Sequence, residues 1–120
     1  VARNPGKAAR LLELANTLGM GARYCALDDD ALPGCIAGAA VVVSTLPADI
    51  AARYADTIAP SPLLLDTIYD PWPTPLASAV TGAGGRVVGG LQMLLFQALP
   101  QVEQFTGRPA PREQMAAALG

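Results

Sequence analysis

Two places in this sequence, which we call corners, are predicted to lead from a strand towards a helix, and they contain residue types that could bind a small molecule. The first follows the apolar run that begins at Leu63, where Asp66, Thr67 and Tyr69 introduce polar groups. The second is Gly90, which precedes a long apolar helical pattern. In open α/β sheets, ligands bind at the carboxyl ends of the strands, where loops lead into helices whose first N–H groups are unpaired. We therefore expect Tyr69 and Gly90 to lie at a ligand-binding edge. Side-chain alternation along the strand predicts that Thr67 and Tyr69 point to the same side.

The elements that position these corners follow one another as strand, helix, strand and helix. Near the start, Asn4 and Pro5 suit the N-cap and first position of a helix that should extend to about Leu18, with Gly19 as its C-cap. The other elements predicted before the first corner are a short strand at 22–27, a helix that starts at the aspartates 28–30, a fully buried strand at 39–44, a helix of about two turns at 49–57 and a strand from Leu63.

The segment between the two corners contains turn-forming prolines and a glycine-rich run. The prolines of YDPWPTP fix φ and hold a rigid turn, after which Thr74 and Pro75 begin a helix that ends near Gly82. In TGAGGRVVGG the glycines follow a helix and precede a strand, whereas the glycines of a dinucleotide-binding fingerprint follow a strand and open a helix. We therefore interpret Gly82, Gly84 and Gly85 as a helix C-cap and loop, and assign them no cofactor.

Two helices complete the pattern, at 91–105 and 111–119. The first has an apolar stripe typical of packing on a sheet, and Pro100 in its interior removes a backbone hydrogen bond, so a kink or a break is expected there. Met93 and Gln97 share another face of this helix. On residue type alone, Met93 is a core residue and Gln97 an exposed polar one, because methionine commonly fills gaps in apolar cores. The stripe consists of Leu91, Leu94, Leu95, Ala98, Val102 and Phe105.

The composition argues against several classes of protein. Hydrophobic residues make up 52% of the chain and charged residues 15%, which is typical of a well-packed globular chain. The net charge of −2 leaves no basic stripe for nucleic acid, and no apolar run is long enough for a transmembrane helix, so we expect a cytoplasmic protein without nucleic-acid or membrane partners. The sequence has no histidine, and Cys25 and Cys35 are expected to be buried free thiols.

The alternation of strands and helices predicts an α/β fold with a largely parallel sheet. At 120 residues, the chain is one domain or part of one. Residues 1–3 suggest the end of a strand that runs straight into the first helix, so we expect the chain to begin inside a fold.

Two motifs resemble a known family. The run DTIYDPWPTPL, followed by GGLQMLLFQALPQVEQFTG, is similar to the C-terminal, NADP-binding half of shikimate dehydrogenases, and the resemblance covers essentially all 120 residues. It implies a Rossmann-like, doubly wound sheet, with residues 1–120 as a partial NADP-binding domain. In that family, the tyrosine and the glutamine of these motifs contact shikimate, and they match Tyr69 and Gln97. The helix-opening glycine and the methionine after it lie beside the nicotinamide, and they match Gly90 and Met93.

The start of the chain resembles the family's segment that holds the adenosine 2'-phosphate. Two basic residues of that segment bind the phosphate, and Arg3 and Lys7 match them, with Asn4 between. An additional phosphate requires cations, which agrees with this assignment. Alternatively, these residues form a solvated basic helix start. Weaker matches line the nicotinamide and its ribose: Thr45, Leu46 and Thr67.

The resemblance implies the C-terminal part of an oxidoreductase that interconverts 3-dehydroshikimate and shikimate with NADP. The family's glycine-rich phosphate loop, its substrate domain and the lysine and aspartate that handle the proton have no match in these residues. We therefore expect a fold truncated at its N-terminus, without the first βα unit or the substrate domain, and inactive alone. No catalytic residue or metal ligand is assigned. Two alternatives stay open: a relative that acts on quinate, and a non-catalytic module that self-associates through an exposed sheet edge.

Overall fold

The computed structural model describes residues 1–2 and 4–119, so that Arg3 and Gly120 lie outside the described residues. The chain divides into two compact units, Val1–Gly38 and Ala39–Gly120. The first unit contains two helices, and the second contains a sheet with the remaining helices. Among the described residues, we find no helix with the length and apolar character needed to cross a membrane.

The first unit is built on α1 (Pro5–Thr17), which begins as the sequence predicts. The Asn4 side chain accepts a hydrogen bond from Gly6 N at 2.9 Å, and Pro5 takes the first helical position. Both capping predictions are therefore confirmed. Just past the helix, Gly19 has a φ of 67°.

The prediction of a strand at 22–27 is wrong. Among the described residues, this segment pairs through one isolated parallel bridge, between Ala2 and Ala26. The Tyr24 hydroxyl donates to the Ala2 carbonyl at 2.8 Å, which adds a side-chain contact to the bridge. The alternation of apolar and polar residues in the segment is weak, so neither face has enough apolar surface to hold a longer ladder. The helix α2 follows at Leu32–Ala37.

The second unit contains a three-stranded parallel sheet with the order β1-β2-β3. Its strands are β1 (Val42–Ser44), β2 (Leu63–Asp66) and β3 (Arg86–Val88). Ser44 pairs with Asp66 in register. The prediction of an α/β fold with a parallel sheet is confirmed. The helices of this unit are α3 (Ala48–Ala52), α4 (Ala55–Ile58), α5 (Pro75–Gly82), α6 (Gly90–Thr106) and α7 (Arg112–Ala118).

One face of this sheet is buried, whereas the other is exposed at β1. Paired residues of neighbouring strands carry their side chains on the same face, so Ser44, Leu64 and Asp66 share a face, and all three are buried. Val43 lies on the opposite face and is 57% exposed. The prediction of a strand buried on both faces is therefore wrong for β1. A run of β-branched residues indicates apolar character, but it does not indicate which face has a packing partner.

The glycine run after α5 forms a turn, as predicted. Ala83 is the C-cap of α5, and Gly84 follows with a φ of 87°. A Cβ atom on Gly85 would lie 2.5 Å from the Ser61 carbonyl oxygen and 2.6 Å from a methyl group of Val80. The close approach of the chain at Gly85 therefore requires glycine, for a packing reason unrelated to phosphate binding.

Pro100 does not interrupt the long helix α6. The sequence predicts a kink or a break at this residue, and of these two the break is not observed. The apolar stripe predicted to pack on a sheet is partly uncovered, since Phe105 is 89% exposed and Leu91 is 37% exposed. The buried residues of the helix are Gly90 and Leu99, and α6 lies against α7. Helical spacing predicts that an apolar face exists but does not identify what covers it.

Candidate functional site

A buried carboxylate organises the end of β2. Asp66 is 0% exposed, and its Oδ2 accepts a hydrogen bond from the Thr74 hydroxyl at 2.6 Å. Its Oδ1 accepts from Ile68 N at 3.3 Å. Thr74 Oγ1 in turn accepts from Ala77 N at 3.0 Å, which caps α5 as predicted. Asp66 therefore holds both ends of the loop 67–74.

That loop and the start of α6 enclose a cleft of about 370 Å³. Tyr69 and Gly90 both line it, so the structure brings together the two corners that the sequence singles out. Tyr69 is 51% exposed, so it lies at the open side of the cleft. The size lies in the range of small-molecule pockets, and the lining combines aromatic and aliphatic walls with a few polar groups. The other lining residues are Trp72, Val87, Gly89, Leu91 and Gln92.

Gly90 presses directly against the loop after β2. Its N–H donates to the Ile68 carbonyl at 3.3 Å, and a Cβ atom added to Gly90 would collide with the Thr67 carbonyl group. The absence of a side chain at this position therefore lets the first turn of α6 touch the loop. β2 ends at Asp66, so Thr67 and Tyr69 lie beyond the strand whose alternation was used to predict their directions.

The end of β1 lies beside this loop. Thr67 N donates to the Ser44 carbonyl at 3.0 Å, so the pairing of β1 with β2 continues to the point where both strands end. Thr45 is exposed and Leu46 is half-buried just after β1. The Ser44 hydroxyl is buried, and no described residue forms a hydrogen bond with it. The predicted residues Thr45, Leu46 and Thr67 thus follow adjacent strand ends.

Gln97 and Tyr69 line different pockets of the second unit. Gln97 is exposed and lines a groove of about 450 Å³ between α6 and α7, together with Gln101 and Met115. Met93 is half-buried and lies one turn into α6, where its N–H donates to the Gly89 carbonyl at 3.1 Å. Neither Met93 nor Gln97 belongs to the lining of the Tyr69 cleft.

Two side chains of the cleft were not singled out from the sequence. The Trp72 ring lies over the start of α6, since a Cβ atom on Gly89 would be 2.9 Å from it. The Gln92 side chain turns back, and its Oε1 accepts from Gly89 N at 3.3 Å. A glutamine three residues after a helix N-cap is a known capping signal and could have predicted the second contact. Trp72 has no comparable signal, because its direction depends on the fold of the loop.

The first unit contains a separate cavity of about 260 Å³. Lys7 lines it, together with Ala2, Tyr24 and Arg23, a cation that the sequence did not single out. The Asn4 side chain is occupied in capping α1. Arg3, the other predicted basic residue, lies outside the described residues. Lys7 and Arg23 give this cavity two positive charges, which is a suitable lining for an anion.

Comparisons with known proteins agree with this architecture. A family model described as "Shikimate 5'-dehydrogenase C-terminal domain" matches residues 90–119. A shikimate dehydrogenase structure from Mycobacterium tuberculosis is 61% identical, with a TM-score of 0.94, and the match covers 99% of this chain and 46% of the other. A shikimate 5-dehydrogenase structure from Mycobacterium fortuitum is 58% identical, with a TM-score of 0.95, covering 100% and 45%. Among curated relatives, the NADP(+) shikimate dehydrogenase of Caulobacter vibrioides is 34% identical over 110 residues, which is 87% of this chain and 38% of the relative.

A parallel sheet whose strands end in ligand-sized clefts beside helix starts defines a Rossmann-like α/β domain. Within that class, the chain belongs to the shikimate dehydrogenase family and corresponds to a C-terminal portion of its members. The chain spans about half the length of these solved structures and about a third of the curated relatives.

Proposed function

We propose that this chain is the C-terminal part of an NADP-dependent oxidoreductase that interconverts 3-dehydroshikimate and shikimate. The observation that carries the proposal is the cleft shared by Tyr69 and Gly90 at the end of β2, in a chain 61% identical to a shikimate dehydrogenase. We also propose that it acts in the cytoplasm. The net charge of −2 supports the further proposal that it has no nucleic-acid partner.

The nicotinamide end of NADP would lie at the neighbouring ends of β1 and β2. Thr45, Leu46 and Thr67 follow these strands, and Gly90 lets α6 start against the Thr67 carbonyl. Met93 would contact the ring from the next turn of α6. The cleft beside Gly90 has apolar walls that suit a flat aromatic ring, so its lining fits this end of the cofactor. When bound, NADP would accept or return the hydride.

The adenosine end of NADP would lie at the start of α1. Lys7 lines the first unit's cavity and would contact the 2'-phosphate, with Asn4 at the helix N-terminus. Arg3 is proposed as the second cation of the site from its position in the sequence alone.

Tyr69 and Gln97 are the proposed substrate contacts. Tyr69 and Gln97 are both exposed residues. The Tyr69 hydroxyl can donate one hydrogen bond and accept another, and the Gln97 amide can do the same from α6. Their task would be to orient the hydroxy acid so that the carbon bearing its reacting hydroxyl faces the cofactor. We assign no catalytic proton carrier within these 120 residues.

Gln97→Ala tests this proposal in the intact enzyme that contains these residues. We expect NADP-dependent oxidation of shikimate in the parent protein, and a KM for shikimate about tenfold higher in the variant, the effect of one lost hydrogen bond. The KM for NADP should change little. Initial rates of NADPH formation, measured while each substrate is varied in turn, give both constants.

Gln101→Ala is the matched control, because Gln101 lies one turn further along α6 and lines the same groove. This variant should leave both constants unchanged. An equal loss of affinity for NADP and for shikimate in Gln97→Ala would overturn the assignment, as would a parent protein without shikimate oxidation.

Self-association is the second candidate function. It is favoured by exposed apolar side chains at β1, where Val41 is 48% exposed and Val43 is 57% exposed. Light scattering over a range of concentrations should then show a mass that increases with concentration. Val43→Thr should weaken association about fivefold, because it removes about 1 kcal/mol of apolar burial. Asp56→Asn, an exposed change on α4, should have no effect. A monomer at every concentration would exclude this function.

A further inference from the structure

Two cysteine side chains of the first unit lie together beside an arginine. Both are free thiols, Cys25 buried and Cys35 half-buried in α2. The Cys25 thiol donates to the Ala26 carbonyl at 3.3 Å. Arg23 Nη2 donates to Cys35 Sγ at 3.6 Å. Arg23 is two residues before Cys25, so its contact with Cys35 holds α2 against the segment that contains Cys25. Cys35 is also close enough to raise the pKa of the Cys25 thiol.

The two thiols have different surroundings. Burial raises the pKa of the Cys25 thiol, and the hydrogen bond and charge of Cys35 and the Asp29 carboxylate raise it further, while the positive chain terminus opposes them. Cys25 is therefore a poor nucleophile at neutral pH. Cys35 is more accessible, and the Arg23 guanidinium lies 3.6 Å from its sulfur. The surroundings thus suit Cys35 for first attack and Cys25 for a second step.

We propose that Cys25 and Cys35 form a reversible disulfide, with hydrogen peroxide as the oxidant. In the first step, the Cys35 thiolate attacks one peroxide oxygen, so that an S–O bond forms, the O–O bond breaks and hydroxide leaves. The sulfur is oxidised to a sulfenic acid, and the peroxide is reduced. In the second step, the Cys25 sulfur attacks the Cys35 sulfur, so that the S–S bond forms and the S–O bond breaks. The Cys25 proton leaves with the sulfenic oxygen as water. An external dithiol reduces the disulfide back to two thiols by exchange and is itself oxidised to a disulfide.

The disulfide between Cys25 and Cys35 would affect the cavity of the first unit. Arg23 and Tyr24, next to Cys25 in the sequence, line the cavity that contains Lys7. The disulfide would join this wall of the cavity to α2. The proposal does not depend on what the cavity binds, so it stands or falls separately from the proposed dehydrogenase function.

Peptide mapping of the native protein tests the proposal. After treatment with hydrogen peroxide, remaining thiols are alkylated and the chain is cleaved before its aspartates. Asp28, Asp29 and Asp30 separate the two cysteines, so a Cys25–Cys35 disulfide links two peptides that a dithiol releases. We expect this linked pair and a parallel loss of both free thiols. A Cys35 sulfinic acid beside an unmodified Cys25, or a disulfide between two molecules, would overturn the proposal.

Three variants test the order of the steps. Cys25→Ser should stop at a Cys35 sulfenic acid, which dimedone traps. Arg23→Met should slow the loss of thiols about tenfold, whereas Arg23→Lys should retain most of the rate because it keeps the charge. Arg10→Met, an exposed change on α1, is the control and should leave the rate unchanged. A sulfenic acid trapped on Cys25 in Cys35→Ser at the parent rate would contradict the proposed order.

Discussion

The Asp66→Ala variant should have a free energy of unfolding about 2–4 kcal/mol lower than that of the parent protein. Asp66 is 0% exposed, and its carboxylate accepts hydrogen bonds from the Thr74 hydroxyl at 2.6 Å and from Ile68 N at 3.3 Å. Alanine would leave both donors without an acceptor in a site that excludes water, and it would also leave a small cavity. Urea denaturation followed by circular dichroism measures the loss.

Two further variants show whether the hydrogen bond to Thr74 is the cause. Thr74→Val should itself cost about 1–2 kcal/mol, because it removes the cap of α5 and one partner of Asp66. Since both changes break the same bond, the double variant should lose less than the two single losses added together. Asp70→Ala, an exposed change in the same loop, should stay within about 0.5 kcal/mol of the parent. Strictly additive losses for the double variant would show that the bond contributes little.

The loop that Asp66 holds is also the loop that forms the cleft, so the same variant connects stability with function. Tyr69 and Trp72 line the cleft from this loop. If the proposed function is right, a looser loop should raise the KM for shikimate even at temperatures where Asp66→Ala is fully folded. The buried Asp66 is in this sense a positioning residue, because it does not itself line the cleft.

The features predicted correctly from the sequence are those set by local interactions. Asn4 and Thr74 cap helices because each accepts a hydrogen bond from an N–H two or three residues along the chain. Gly84 lies in the turn after α5 with a φ of 87°, a conformation that side chains disfavour. Predictions that depended on distant partners were less accurate. Val43 and Phe105 are apolar at suitable spacings, yet they are exposed, because spacing does not specify a covering surface.

The predictions for the candidate site show the same difference between local features and features that depend on distant partners. The rule that ligands bind at strand ends led to the loop of Tyr69 and the first turn of α6, and the structure brings both to one cleft. It could not indicate that Gln97 faces a groove against α7, or that the Trp72 ring lies over Gly89. Arg23 was missed because its segment was predicted as a strand, in which this side chain would have had different neighbours. The conformation of a loop decides where the Trp72 and Arg23 side chains point, and a periodic sequence pattern does not predict a loop conformation.

The Gly90→Ala variant should also be destabilised, by about 1–3 kcal/mol, for a steric reason. A Cβ atom at this position would lie 2.8 Å from the Thr67 carbonyl carbon and 3.0 Å from that of Ile68. These are backbone atoms, which cannot rotate away as the end of a flexible side chain can. The start of α6 would therefore have to move off the loop, and the hydrogen bond from Gly90 N to the Ile68 carbonyl would weaken. Thermal unfolding measured by calorimetry gives the change.

Gly82→Ala is the matched control for the loss of a helical glycine. Gly82 is the last residue of α5 and would place its Cβ atom in open space, so alanine there should leave stability unchanged or raise it by about 0.5–1 kcal/mol. Because Gly90 also lines the cleft beside Tyr69, its displacement should raise the KM for NADP in the intact enzyme, whereas Gly82→Ala should not. A Gly90→Ala protein as stable and as active as the parent would mean that α6 does not start against the β2 loop, and the cleft would then lose one of its walls.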